Sequence, residues 1–447
     1  MGIPHPRIHL KVFIFSVAFT LLTIGIVRFS KDPKNASRWR NEKIFPNGTH
    51  NVTISRIPSK DELRRIWIQK KIERLSSKFA EGAGKTNSSF EKPKYKPMKE
   101  ANSRAHIFYY AWYRNVELDQ VSRHWNDDDP GMQKDAFGLY KTDSLSGIRL
   151  SFYPKEGFYS SRNETVVAKH MGQLKKAGIG VIVVYWKPPG FEDSPEEVLE
   201  MLLSAALENG IKVALHVSPY YNWTLEHLLE QLKIFLKKYG SHKGIYRLRR
   251  RNRDLPVFYV YDPFDLGSSA WASVLSPTGS SSIRNTELDG VFIGLLADQA
   301  HRMEIKKSQF DGFYTYFAGN GYTYGSSWKN WQSLVKFARD NKLLFVPCVA
   351  PGYAEPGGGS INRPRHKGNY FEVGMRAAAD TDAPIIGITS FNAWEEGSQI
   401  EPAIPHRSGP YVYLDYKPHE PSYFLDLAGW WVKWWTERTN SSKSSVF

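Results

Sequence analysis

From residue 106 onward the chain alternates, eight times over, between a short run rich in β-branched and aromatic residues and an amphipathic stretch with helical spacing. That alternation constrains the fold more than any other feature, because strands separated by helices must run parallel and be covered on their faces. The expected strands are His106–Tyr113, Ile179–Trp186, Lys212–Pro219, Pro256–Asp262, Asp289–Leu296, Phe310–Phe317, Leu343–Pro351 and Ile385–Trp394. The expected helices are Glu164–Lys176, Pro195–Asn209, Thr224–Tyr239, Ser268–Leu275, Ala297–Ser308, Trp328–Lys342, Tyr370–Ala378 and Pro421–Arg438. IGVIVVYW at 179–186 is apolar along its length, so neither face can meet water. Eight strands, each followed by a helix, predict an α/β fold, a (β/α)8 TIM barrel forming a single domain over 105–438 with a short tail at 439–447. A doubly wound open sheet competes with it, but no glycine-rich phosphate loop follows the first strand.

In such barrels the chemistry sits at the C-terminal ends of the strands. Here those ends carry Trp112-Tyr113, Tyr185-Trp186-Lys187, His216, Tyr261-Asp262, Tyr314 and Tyr316, Tyr353, and Asn392 through Glu396. Together they describe an aromatic cleft bearing carboxylates, which suits stacking on sugar rings and recognition of hydroxyls. Any single ring is more often core filler.

The net charge of +15 invites a nucleic-acid reading until it is located. Residues 1–105 hold 22 of the 60 Lys and Arg and 8 of the 45 Asp and Glu, leaving 38 against 37 for the rest. The basic character therefore belongs to the segment before the barrel, where it suits a polar stem or an anionic membrane surface, and nucleic acid is set aside as a partner. The single cysteine, Cys348, permits no intrachain disulfide and reads as a small buried hydrophobe.

Residues 12–27, VFIFSVAFTLLTIGIV, form an uncharged run between Lys11 and Arg28. It is somewhat short of the ~20 residues that span an average bilayer, and no small-residue cleavage site follows it, so an uncleaved signal anchor is expected. Residues 1–11 become a short cytoplasmic tail and 28–104 a basic, flexible stem. Flanking charges would leave the C-terminal side in the cytosol. N-x-S/T sequons at Asn35, Asn47, Asn51, Asn87, Asn163, Asn222 and Asn440 argue for a lumenal body, and they outnumber the roughly two or three expected by chance. The orientation expected is single-pass type II. Ile68, Ile72, Leu75 and Phe79 recur at helical spacing, which predicts a transient helix in the stem.

The eighth strand runs into SFNAWEEGSQIEP at 390–402. Glycoside cleavage needs a proton donor for the leaving oxygen, usually a carboxyl group of raised pKa, with a second group across the scissile bond. Glu396 is the expected donor and Glu395 its candidate partner; Glu401 reads as a solvated loop acid. There is no G-x-S-x-G elbow and no H-E-x-x-H zinc pair, and Asp262, Asp298 and Asp311 match no metal-ligand spacing. His106 and His216 read as hydrogen-bonded core histidines before they read as ligands. No metal or other cofactor is expected.

Several blocks resemble the Golgi endo-α-1,2-mannosidases, glycoside hydrolase family 99. They are HIFYYAWY at 106–113, SFYP at 151–154, YSSR at 159–162, SIRN at 282–285, FDGFYTYFAGNGYTYGSS at 310–327, PGY at 351–353, SFN at 390–392, YLDY at 413–416 and PHEP at 418–421. The resemblance implies a Golgi enzyme that cuts within glucosylated high-mannose N-glycans of glycoproteins, with retention of configuration and without a metal. It also implies glycan contacts from Tyr109, Tyr110, Trp186, His216, Tyr316, Arg363 and Asn392.

Carried over residue by residue, the family's Glu-Trp-His-Glu falls on Ala393-Trp394-Glu395-Glu396. Its general acid is then Glu396, whereas its base toward the substrate 2-hydroxyl falls on Ala393, which takes no proton. The family's Trp-Tyr-Pro-Pro becomes Trp186-Lys187-Pro188-Pro189, and its His-Ile-Glu-Pro-Tyr becomes His216-Val217-Ser218-Pro219-Tyr220. If 393–395 is extended, Ala393 and Glu395 share a face about 6.6 Å apart and Glu395 substitutes in part. Two functions stay open: a hydrolase using Glu396 as acid with Glu395 or water as base, and a glycan-binding protein that keeps the cleft without turnover.

Overall fold

All eight expected strands form, and each pairs parallel with its neighbours around one closed ring. The computed structural model describes residues 97–98, 100–125, 150–356, 362–408 and 411–441. The barrel strands are β1 (Asn102–Tyr109), β2 (Ile179–Trp186), β3 (Lys212–Val217), β4 (Arg253–Val260), β5 (Val291–Leu295), β6 (Gly312–Tyr314), β7 and β8 (Ile386–Ile388). Strand β7 consists of Leu344–Val346 and Cys348–Val349, on either side of Pro347. Pro347 has no N–H to give a ladder. The first piece pairs with β6 and the second with β8, while β8 also pairs with β1, so the ring closes.

The helices are α1 (Glu164–Lys176), α2 (Glu196–Glu208), α3 (Leu225–Tyr239), α4 (Ser268–Leu275), α5 (His301–Lys307), α6 (Trp331–Asp340), α7 (Asn369–Ala379) and α8 (Tyr423–Ser441). Their order gives the (β/α)8 barrel that the alternation predicts. The start of α1 is set by Asn163, whose side chain accepts from the amides of Thr165 and Val166. In α3, Leu225, Leu228, Leu232, Phe235 and Tyr239 are buried, one stripe at helical spacing that faces the strands.

Strand alternation divides the core into two layers. Val181 and Val183 point into the barrel with Phe108, Tyr259, Ile293 and Tyr314. Ile182 and Val184 point outward into the layer shared with the helices. The register pairs Tyr185 with His216 and His216 with Tyr259, so these three side chains share the interior.

The strands end earlier than expected at the face where the site lies. The eighth strand stops at Ile388, and 391–397 is bend and turn instead of extended chain. The polar side chains there are fixed by side-chain hydrogen bonds in place of a ladder. The anchor at 12–27, the stem up to residue 96 and the sequons at Asn35, Asn47, Asn51 and Asn87 lie outside the described residues, whereas the last residues assigned to the stem, from Asn102, already belong to β1. Among the described residues no helix is long and apolar enough to cross a membrane.

Candidate active site

The C-terminal ends of the strands enclose a cavity of about 540 Å³. Tyr110 and Trp112 follow β1, Tyr185 ends β2, His216 comes from β3, and Tyr261 and Tyr316 follow β4 and β6, with Tyr322 and Tyr353 supplied by loops. Ser218 and Pro219 complete the wall below Tyr185, and Glu396 is the one carboxylate among its described lining residues. The cavity is thus a ring-lined slot with a single acid among its described lining residues, a mix of apolar faces and sparse polar groups suited to carbohydrate.

Glu396 is placed by a chain of local contacts. Asn392, fully buried, accepts from the Tyr110 amide at 2.8 Å and donates to the Tyr110 carbonyl at 2.8 Å, tying the end of the eighth strand to the first. The Ala393 amide donates to Ser390 Oγ at 2.7 Å. The turn then passes through Gly397 at φ +57°, where a Cβ would collide with the Ala354 carbonyl oxygen, so only glycine fits. Behind it, Arg365 Nη2 donates to the carbonyls of Gly397 (3.0 Å) and Gln399 (2.7 Å). Its guanidinium sits 4.6, 5.0 and 4.5 Å from the rings of Phe152, Tyr416 and Phe424, a cation–π cage for a buried charge.

The Glu396 carboxylate accepts from Tyr316 Oη at 3.3 Å and from Ser398 Oγ at 3.2 Å. Tyr316 in turn shares a short hydrogen bond with the Tyr110 hydroxyl. Burial pushes the Glu396 pKa up to about 7, the hydrogen bonds from Ser398 and Tyr316 resist that rise, and the nearby charges of Glu395 and Glu355 add to it. Below neutral pH the group is therefore a protonated acid facing an aromatic slot. His216 donates no charge: burial lowers its pKa to about 3, and its Nε2 lies 2.7 Å from the Tyr314 hydroxyl.

Glu395 departs from the geometry expected of it. In the turn at 394–397 it does not share an extended face with Ala393; its Oε1 lies 3.5 Å from His124 Nδ1, and it does not line the cavity. His124 Nε2 meets Asp193 Oδ1 at 2.7 Å, and the imidazole stacks on Trp112 with centroids 4.4 Å apart. Burial works against the imidazolium, but the bonds to Asp193 and Glu395 outweigh it and raise the His124 pKa to about 9. Lys187 Nζ reaches within 3.9 Å of Asp193 and 5.6 Å of the Tyr185 ring centre. The departures at 187 and 395 thus join one charged cluster behind the cavity wall.

Of the residues predicted to touch glycan, Tyr110, His216 and Tyr316 line the cavity with Glu396. Tyr109, Trp186, Asn392 and Arg363 are placed elsewhere. Tyr109 faces outward to His170 (3.0 Å) and Phe391, and Trp186 packs on Phe235. Arg363 donates to the Asn320 carbonyl at 3.2 Å, bracing the loop that carries Tyr322. Glu401 is not a solvated acid: it is buried and meets Tyr159 Oη (2.8 Å), Trp394 Nε1 (2.8 Å) and His170 Nε2 (3.1 Å). Sequence reasoning passed over Tyr185 in favour of Trp186, although the pleat that turns His216 inward also turns Tyr185 inward. His124, Asp193 and Arg365 had no local signal.

The Glycosyl hydrolase family 99 model matches residues 100–437. Glycoprotein endo-alpha-1,2-mannosidase of Mus musculus is 40% identical over 372 residues, covering 80% of each chain. Glycoprotein endo-alpha-1,2-mannosidase-like protein of Homo sapiens is 39% identical over 345 residues, 74% of this chain and 75% of that one. The solved structure of the GH99 endo-alpha-mannosidase from Bacteroides thetaiotaomicron superposes with a TM-score of 0.69 at 34% identity, covering 76% of this chain and 99% of that one. A barrel of eight parallel strands, an acid at the end of the last one, and these matches lead to one statement: the chain belongs to glycosyl hydrolase family 99, a family of glycoside hydrolases.

Proposed function

We propose that the protein is an endo-α-1,2-mannosidase-type glycoside hydrolase for high-mannose N-glycans, with Glu396 as its general acid and with slow turnover because the partner base is missing. The observation that carries this is the Glu396 carboxyl, held up to about 7 by burial inside a slot of tyrosines. A protonated Glu396 gives its proton to the departing glycosidic oxygen as the C1–O bond breaks, and Tyr316 and Ser398 stabilise the carboxylate left behind.

The other half of that step is where the chain falls short: C1 must gain a bond to the neighbouring 2-oxygen as it loses the departing one, and the 2-hydroxyl must give its proton to a base. Retaining cleavage needs another group to take a proton or attack, and the matching positions hold Ala393 and Ser218. Water must then serve, at a rate about 10²–10⁴-fold lower. A lumenal Golgi setting, with the chain held by its N-terminal apolar run, belongs to the same proposal. A second reading, a glycan-binding protein without turnover, is favoured by the engagement of Glu395 with His124 at 3.5 Å. Incubation of purified protein with a glucosylated high-mannose N-glycan, followed by mass analysis, separates the two. Release of a glucosyl-mannose disaccharide that Glu396→Gln abolishes supports the hydrolase; intact glycan bound at micromolar affinity supports the binding protein.

A further inference from the structure

A second cavity, of about 710 Å³, opens at the opposite end of the barrel, where the strands begin. Its lining holds seven cations and two carboxylates, Asp289 and Asp311, although residues beyond 105 are close to balanced in charge overall. The cavity therefore carries a local excess of positive charge. The hairpin formed by the strand Arg247–Arg250 and the start of β4 supplies most of it, through RLRRRNR at 247–253.

The cations form two tiers. Arg250 and Arg284 make the floor: Arg250 Nη2 contacts both oxygens of Asp289 at 2.7 Å, and Arg284 Nη2 contacts Asp311 at 3.1 Å. Both aspartates are consumed there, which fixes two guanidinium planes without neutralising the rest. Arg249, Arg251 and Lys342 form the exposed tier and make no ion pair among the described residues, although Asp254 stands opposite Arg249 in the hairpin register. Asn252, Asn285, Asn341 and Gln309 also line the cavity, with the Asn341 and Gln309 carboxamides donating to the carbonyls of Phe337 (2.8 Å) and Lys306 (3.0 Å). Four of the lining residues, Arg251, Asn285, Gln309 and Lys342, have φ between 55° and 66°. The equivalent turns after α1 and α2 use Gly178 and Gly210, which adopt such φ freely. The turns at this cavity keep long polar side chains in spite of the strain, a pattern that gathers at functional sites.

Guanidinium forks fit tetrahedral oxyanions in bidentate fashion, and carboxamides both donate to and accept from hydroxyls. We propose that this cavity binds a phosphorylated or sulfated carbohydrate, independently of the catalytic cleft. The oxyanions would lie on Arg249, Arg251 and Lys342 and the sugar hydroxyls on the amides.

The test is titration calorimetry on the full chain with four probes: a heparin-derived hexasaccharide, a mannose oligomer bearing 6-phosphates, neutral Man9 glycan and an RNA oligomer. Binding of either charged probe, weakened at least tenfold by Arg249→Glu with Arg251→Glu and by raising salt from 50 to 200 mM, is expected; whichever charged probe binds tighter identifies the oxyanion. Both substitutions are on exposed side chains, and near-ultraviolet circular dichroism checks the fold. The same two charge reversals on Lys233 and Lys237 of α3 should leave affinity within twofold. Absence of binding by both charged probes, equal weakening by the α3 reversals, or tighter binding of an RNA oligomer than of either sugar would overturn the proposal.

Discussion

Glu395 Oε1 lies 3.5 Å from Nδ1 of His124, whereas the next residue, Glu396, turns to Tyr316 and Ser398 inside the cleft. Two adjacent acids thus serve different environments. Both are partly exposed, but one belongs to a charged cluster, whereas the other lines the cleft with its carboxyl held near neutrality by desolvation. The turn at 394–397 sets the two side chains in these different surroundings.

The Glu396 shift has a stability consequence whose sign is fixed. Its pKa rises from 4.5 to about 7 on folding, so the folded state favours the protonated form. The stabilisation is complete below pH 4.5 and is lost as pH rises through about 7, by on the order of 3 kcal/mol. Urea denaturation of wild type should show this loss between about pH 4.5 and 7, and Glu396→Gln should not.

Removing a hydrogen bond to the ionised form should raise the Glu396 pKa further. For Tyr316→Phe the alkaline limb of any pH–rate or pH–binding profile is therefore expected at higher pH than in wild type. An unchanged limb would mean that Tyr316 does not donate to Glu396 in solution.

Arg365 holds the turn at 394–397 from behind, and Arg365→Met would keep the bulk while orphaning the carbonyls of Gly397 and Gln399. A loss of about 2–4 kcal/mol in unfolding free energy is expected. Glycan affinity, measured by calorimetry on the folded fraction, should fall as well, because Glu396 loses its fixed position.

The His124–Glu395 contact, with Glu395 about a third exposed, is expected to contribute no more than about 1 kcal/mol. A double-mutant cycle of His124→Gln and Glu395→Gln measures it directly. The coupling should fade as pH rises past about 9, where His124 gives up its proton.

The fold was legible because eight apolar runs separated by amphipathic helices leave little choice but a closed parallel sheet. Glu396 was legible because it follows the last strand at the face where barrels do chemistry. Choosing between neighbours was harder: Tyr185 and Trp186 are equally aromatic, and only pairing with His216 decides which enters the cleft. Strand ends misled in another way. Treating 393–395 as extended placed Glu395 beside Ala393, but side-chain bonds from Asn392, Ser390 and Arg365 turn the backbone there. Glu401 looked solvated because its partners, Tyr159, His170 and Trp394, are mostly remote in sequence.

The Ala393→Glu variant tests the missing base most directly. Its initial rate of glucosyl-mannose release from a glucosylated high-mannose N-glycan should exceed that of wild type by about 10²–10⁴-fold, and adding Glu396→Gln to it should abolish the gain. An Ala393→Glu protein that folds, binds the glycan and cleaves it no faster than wild type would contradict the assignment of Ala393 as the lost base.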